Sequence, residues 1–243
     1  MPIPVLNVSE QEPAWACVLD ISEAINPGHW LLVGGLAVQA HAQINGVYSR
    51  ATVDVDMLLD ILLSSTQVSS VVAVLETKGF KPIAPALKGG SFHRLKRSDG
   101  IIVDVLVADH LPKSRDRATR IGAWKTMSVP GGAQAIERKM TLNVASATRK
   151  AQIAIPDLLG MLVLKCAAYA NDKREKERHL QDVALLASLI TDAYSERGRM
   201  HGSDKKRIRC VAEVLADNLS PAWLVLRPDL RQKGQAALRL LAS

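Results

Sequence analysis

Apolar residues in this chain follow two different periods, and the change falls near residue 156. Before it, short apolar runs alternate with glycine- and asparagine-rich turns. Trp30–Val33 reads as a short buried strand, Val53–Leu59 as a second, and Ser91–Arg97 with Ile101–Val107 as a hairpin closed by Ser98-Asp99-Gly100. Residues 139–155 alternate weakly and predict two short strands. Between these lie helical patterns: residues 9–26 with Ser9 as N-cap and Pro27-Gly28 as the stop, Leu36–Gln43, and Ser64–Lys78 with Val68, Val71, Val72 and Leu75 on one stripe and Gly79 as its stop. From Pro156 the pattern is helical throughout, over about 157–171, 174–191, 203–218 and 229–242. The expectation is an α+β protein with an N-terminal domain over 1–155 and a helical C-terminal domain over 156–243.

Composition changes this picture in three ways. The chain has 243 residues, 48% of them hydrophobic and only 4% aromatic, so Leu, Val, Ile and Ala must build the core, and broad stacking platforms for single-stranded nucleic acid are disfavoured. A formal net charge of +7 favours a polyanionic partner, for which RNA or DNA is the usual case. His93, Arg94, Lys96 and Arg97, together with the basic stretch 113–125, form a candidate surface for an RNA backbone. Cys17, Cys166 and Cys210 are far apart, with neither a CxxC nor a zinc spacing, which fits free thiols in a reducing compartment. The opening MPIPVLNVSEQEP has no basic and apolar signal pattern, and the apolar run Leu158–Ala170 is broken by Lys165 and too short to span a bilayer. A soluble, cytoplasmic protein without membrane contact is expected.

The chemistry concentrates between Val33 and Asp60. Gly34-Gly35 follows a strand and opens a helix, a junction that offers backbone N–H groups to an anion and lets a phosphate approach closely. Asp54 and Asp56 alternate on the next strand, so both carboxylates share one face. Asp104 is a third acid in an otherwise apolar strand. Acids held close together in apolar surroundings repel, and divalent ions are a physical reason to keep them. Hard cations such as Mg²⁺ bind carboxylate and phosphate oxygens together, and a pair about 3.5–4 Å apart serves phosphoryl and nucleotidyl transfer. Arg50 is suited to phosphate charge, and Thr52 shares the parity of Asp54. Lys165, on an apolar helix, needs either an anion, which a triphosphate or an Asp would supply, or a path to water, the alternative being a side chain that snorkels to solvent at the helix edge. By spacing alone, His41 reads as a core or cap residue, and Arg178, His179 and Asp182 as a solvated helix face.

The ordered set GGLAVQAHAQ…SRATVDVD resembles the signature of DNA polymerase β-type nucleotidyltransferases, most of all the minimal AbiEii and MenT-like toxins of bacterial toxin–antitoxin systems. The resemblance covers most of residues 31–190 and says little about 1–30 or 195–243. It implies a nucleotidyltransferase fold, a mixed β-sheet flanked by helices, with a helical C-terminal region. It implies two Mg²⁺ ions (or Mn²⁺) on Asp54, Asp56 and Asp104, with an NTP as substrate and Gly34, Gly35, Arg50 and Thr52 around it. Within LLGMLVLKCAAYANDKREKERHLQDVALL, Lys165 and Asp182 match the family's later Lys and Asp positions. Here the chain departs from the pattern, because the long Asp172–Asp182 run replaces a compact basic segment. The function implied is transfer of a nucleoside monophosphate to a hydroxyl, most simply an RNA such as the tRNA 3′ end, by a toxin with a cognate antitoxin protein. The alternatives are a transferase acting on a small molecule such as an antibiotic, and a non-catalytic nucleotide- or RNA-binding module.

Overall fold

The computed structural model describes residues 2–62, 67–85, 90–172 and 175–243. It is a mixed α+β protein whose chain divides into two compact units. The first comprises residues 1–37 and 50–156, the second residues 38–49 and 157–243. The division after Pro156 coincides with the change of period in the sequence.

In the first unit, β1 (Val5–Asn7), α1 (Pro13–Ala24) and β2 (Trp30–Val33) lead into α2 (Gly34–Ile44), followed by β3 (Val55–Leu59), α3 (Val68–Thr77), β4 (Lys81–Pro82), β5 (Arg94–Lys96) and β6 (Ile102–Ala108). After a basic loop come β7 (Arg120–Ile121), β8 (Trp124–Lys125), β9 (Ser128–Val129), α4 (Gly132–Glu137), β10 (Lys139–Ala145) and β11 (Lys150–Pro156). The main sheet is ordered β2-β3-β6-β5-β4, with β9 also pairing with β6. It is mixed: β3 and β6 run parallel, while β2–β3, β5–β6 and β4–β5 are antiparallel. A separate sheet, β1-β10-β11, carries two seven-residue strands in the stretch whose sequence alternates weakly.

β3 and β6 are central and apolar on both faces, so Val55, Met57, Leu58, Leu59, Val103 and Val105 are fully enclosed. Five of the nine aromatics belong to the core, Trp15, Trp30, Phe80 and Phe92 here and Trp223 in the second unit, while Tyr48, Trp124 and Tyr194 are exposed. Several expected boundaries shift. The first helix begins at Pro13 with Glu12 before it, so Ser9 is not its cap, and a Pro in the first turn is favourable because its missing N–H would have had no helical partner. β3 starts at Val55 rather than Val53, which is 69% exposed. The helix expected from Ser64 is seen over Val68–Thr77, and Ser64–Thr66 lie outside the described residues.

The second unit, beyond the last two-thirds of α2, is helical: α5 (Leu158–Asn171), α6 (Lys176–Leu189), α7 (Ala193–Gly198), α8 (Asp204–Val214), α9 (Pro221–Leu224) and α10 (Pro228–Ala242). α5 packs on α6 and α8, and α10 on α6, α7 and α8. Asp157 caps α5 by accepting a 2.8 Å hydrogen bond from the Gly160 N–H. Among the described residues, no helix is long and apolar enough to cross a membrane.

Gly234 marks the closest approach of α10. A Cβ there would lie 2.9 Å from Trp223 Cζ3, 3.1 Å from the Ser188 nitrogen and 3.2 Å from the Ala184 carbonyl oxygen. Alanine would gain about 1 kcal/mol of helix propensity, but overpacking against backbone atoms costs about 1–3 kcal/mol. Gly234→Ala is therefore expected to lower the urea midpoint of the full chain, and an unchanged or raised midpoint would show that α10 can back away freely.

Candidate functional site

The glycine pair and the acids meet at the start of α2. Gly34 has φ +70°, a left-handed conformation natural only to glycine. A Cβ on Gly34 would stand 1.7 Å from Asp56 Oδ2, and one on Gly35 would stand 2.7 Å from Thr52 Oγ1. The room cleared by the two glycines is thus filled by the chain's own Asp56 and Thr52. This seats the Asp56 carboxylate against the first turn of a helix, where the macrodipole favours negative charge. Strand pairing explains the placement, because Val33, which immediately precedes Gly34, is the cross-strand partner of Asp56.

The parallel pairing of β3 with β6 sets Asp56 directly opposite Asp104, and the antiparallel pairing of β5 with β6 sets Arg94 opposite Asp104. Asp56, Asp104 and Arg94 therefore form one row across three strands. Arg94 grips Asp104 with both arms, Nε to Oδ1 at 2.8 Å and Nη2 to Oδ2 at 2.7 Å. The Asp104 side chain is 11% exposed and the Arg94 side chain 38%. The hydrogen bonds that Arg94 donates to Asp104 raise the Arg94 pKa, against a desolvation penalty, and the charges of Asp104, Asp54 and Asp56 add to the rise. Arg94 is thus a shared counter-cation to all three acids rather than part of an open basic surface. Arg97 departs from the RNA-surface expectation too: it pairs with Asp99 at 2.9 Å and Asp20 at 3.4 Å, and its guanidinium lies over Phe80.

Asp54 and Asp56 are half-buried, and Asp54 lies just before the first residue of β3. Among the described residues, no three or more His, Cys, Asp or Glu side chains gather at metal-holding distance. The donor chemistry nevertheless fits a hard divalent cation: Asp54 and Asp56 are carboxylates two residues apart at the edge of a strand, and Asp56 faces a third in register. Both oxygens of Asp104 already accept from Arg94, with which such an ion would compete.

Arg50 is half-buried in the first unit, and the remaining predicted site residues belong to the second. Lys165 on α5 and Asp182 on α6 form an ion pair of 2.8 Å, with side chains 7% and 2% exposed. This settles the anion that Lys165 required, and it corrects the reading of Asp182 as part of a solvated face. Nearby, His179 Nε2 lies 3.2 Å from Asp172 Oδ2, while its buried Nδ1 makes no hydrogen bond among the described residues. Burial, then the Lys165 charge, hold His179 below the ordinary imidazole range, opposed by Asp172 and Asp182. His41 is buried, as its core reading implies. Thiol chemistry is an unpromising alternative: burial pushes Cys17 up to about 12 and raises Cys166 as well. Arg94 and His179 are the residues that sequence reasoning undervalued. For Arg94 the available signal was its place on a hairpin opposite a lone strand Asp.

No family model, curated protein or solved structure matches the chain.

Two outcomes follow from the second unit. Lys165→Met removes the charge partner of an enclosed carboxylate, and breaking such a pair costs about 3–5 kcal/mol. Chemical denaturation should show a loss of that order, largely recovered in Lys165→Met/Asp182→Leu if the pair is only structural. His179, with its folded pKa below its unfolded value of 6.5, binds fewer protons folded than unfolded in that window. Its contribution to stability is therefore lost as pH falls through about 6.5, down to the lower folded pKa. His179→Gln should flatten the slope of unfolding free energy against pH there, and an unaltered slope would assign it to other groups.

Proposed function

We propose that the chain is a metal-dependent nucleotidyltransferase. It moves a nucleoside monophosphate from an NTP to a hydroxyl, with an RNA end such as a tRNA 3′ terminus as the favoured acceptor, and serves as the toxin of a toxin–antitoxin pair. One observation carries this reading: Asp56 and Asp104 stand opposite each other on adjacent parallel strands, with Asp56 tucked against the glycine-opened start of α2. The ordered motif in the sequence is the second support.

In this reading Asp54 and Asp56 hold the divalent ions, and Asp104 completes the set. The ions, when bound, neutralise triphosphate charge and lower the cost of ionising the acceptor hydroxyl. The acceptor oxygen bonds to the α-phosphorus, the bond to the bridging oxygen of the β-phosphate breaks, and pyrophosphate leaves. In the same reading Asp104 takes the hydroxyl proton once Arg94 has released its oxygens. Arg50 and Thr52 orient phosphates, a role in which positioning and fixed charge contribute most of the rate, while the first turn of α2 holds Asp56 in place. Lys165 and Asp182, being mutually neutralised and enclosed, contribute by shaping the helical unit.

The acceptor surface narrows to the basic loop after β6. Lys113 and Arg117 are exposed there and, among the described residues, make no ion pair. A cavity of about 560 Å³ lined by Val107, Ala108, Leu111, Lys113 and Lys125 opens beside them. Trp124, 37% exposed and stacked on Phe92, supplies an aromatic face at the same loop.

The grip of Arg94 on Asp104 favours a second reading, a nucleotide- or RNA-binding module without turnover, because it shows a way to neutralise the acids without metals. Incubation of the full chain with labelled NTPs, Mg²⁺ or Mn²⁺ and total RNA separates the two. Label should enter RNA, and Asp56→Asn should reduce transfer by about a hundredfold or more, since even outer partners of a metal site cost 10–100-fold. Tight NTP binding with no label in RNA or protein would establish the module instead.

A further inference from the structure

Arg94 and Asp104 are joined more specifically than charge neutralisation requires. They are register partners on β5 and β6, and both carboxylate oxygens accept from one guanidinium fork. The two partners differ in freedom. Asp104 is enclosed in the middle of a seven-residue central strand. Arg94 lies on a three-residue strand and is 38% exposed, with a long side chain that can turn outward to solvent. If one partner moves, it is Arg94. Asp54 and Asp56 reinforce its hold, since their charges also act on the guanidinium.

From this geometry we infer that Arg94 and a divalent cation are alternative occupants of Asp104, so that Arg94 sets the threshold at which the acidic row accepts metal. The inference rests on the nucleotidyltransferase reading and goes beyond it by naming the residue that governs cation affinity. A divalent ion on Asp104 competes for the oxygens that now accept from Nε and Nη2, and its charge repels the guanidinium beside it. With twice the charge and a compact shell of oxygen ligands it can displace a guanidinium, whereas a monovalent ion has no such advantage. Arg94, once turned out, keeps its full charge and its planar fork, which suit it to a phosphate oxygen brought in with the ion. Arg94 is thus a positioning residue that keeps the acids compatible with a folded, metal-free state and makes release of Asp104 a consequence of cation entry.

The test uses the full chain and two measurements. Mn²⁺ titration followed by the electron paramagnetic resonance of free Mn²⁺ gives the affinity of wild type, Arg94→Gln and Arg94→Lys. Removal of the competing charge should tighten binding by at least about tenfold in Arg94→Gln, equivalent to about 1.4 kcal/mol. Arg94→Lys keeps the charge but not the fork and should fall between. In wild type, ¹⁵N NMR of the Arg94 Nε–H during Mg²⁺ titration reads the same exchange without a variant, so a poorly folded Arg94→Gln leaves the question decidable. The Nε–H signal should move from a hydrogen-bonded to a solvent-like position as Mg²⁺ saturates. Wild-type metal binding with an unmoved Arg94 signal, or with equal or weaker affinity in Arg94→Gln, would overturn the inference alone. Absence of Mn²⁺ and Mg²⁺ binding in every form would overturn it together with the metal-dependent reading of the site.

Discussion

A carboxylate on a central strand must be answered by a cation, and in the first unit that requirement fixes how the acidic row is built. Asp104 is enclosed between β3 and β5, and Arg94 meets both of its oxygens from the neighbouring strand. Without that pairing, Asp54, Asp56 and Asp104 would load one edge of the sheet with like charges, which repel strongly where water is scarce. The fold answers Asp56 differently, by resting its carboxylate on the glycine-opened start of α2, where the helix dipole is positive. The two solutions differ in reversibility. The helix start is part of the backbone, whereas the Arg94 side chain can leave, and this difference makes Asp104 the adjustable member of the set.

The helical unit meets the same constraint with a closed pair. Lys165 and Asp182 are deeper than Arg94 and Asp104, and their side chains have little room to exchange partners. Enclosed ion pairs of this kind contribute little net stability over an apolar pair but are costly to break from one side. Here the pair ties α5 to α6 at one enclosed point. His179 and Asp172 extend the polar contacts between the same helices, with burial and the Lys165 charge disfavouring the protonated imidazole.

Much of the fold was legible from local pattern. The change of period at residue 156, the four principal C-terminal helices, the strand–glycine–helix junction and the hairpin around Asp99-Gly100 all follow from spacing and turn chemistry that act over a few residues. Helix starts and strand ends were less legible, since caps and pairing partners decide them: Pro13 overrides Ser9 as the start of α1, and β3 begins only where β2 and β6 can pair with it. Arg94, Arg97 and Asp182 carry the same charge in any conformation, so composition counts them as surface, and only burial and cross-strand or cross-helix partners reassign them.

The amino-acid sequence by itself determined that this is an α+β chain, that three acids and a glycine pair stand in a fixed order, and that its late apolar helix carries one lysine. These are properties of neighbours along the chain, where backbone propensity and side-chain period act directly. Only the tertiary structure decided that Asp56 faces Asp104, that Arg94 answers them, that the glycines make room for Asp56 and Thr52, and that Lys165 meets Asp182. Those outcomes depend on strand order, register and helix packing. A one-residue slip in pairing turns every side chain of a strand to the opposite face, and no local signal specifies that register.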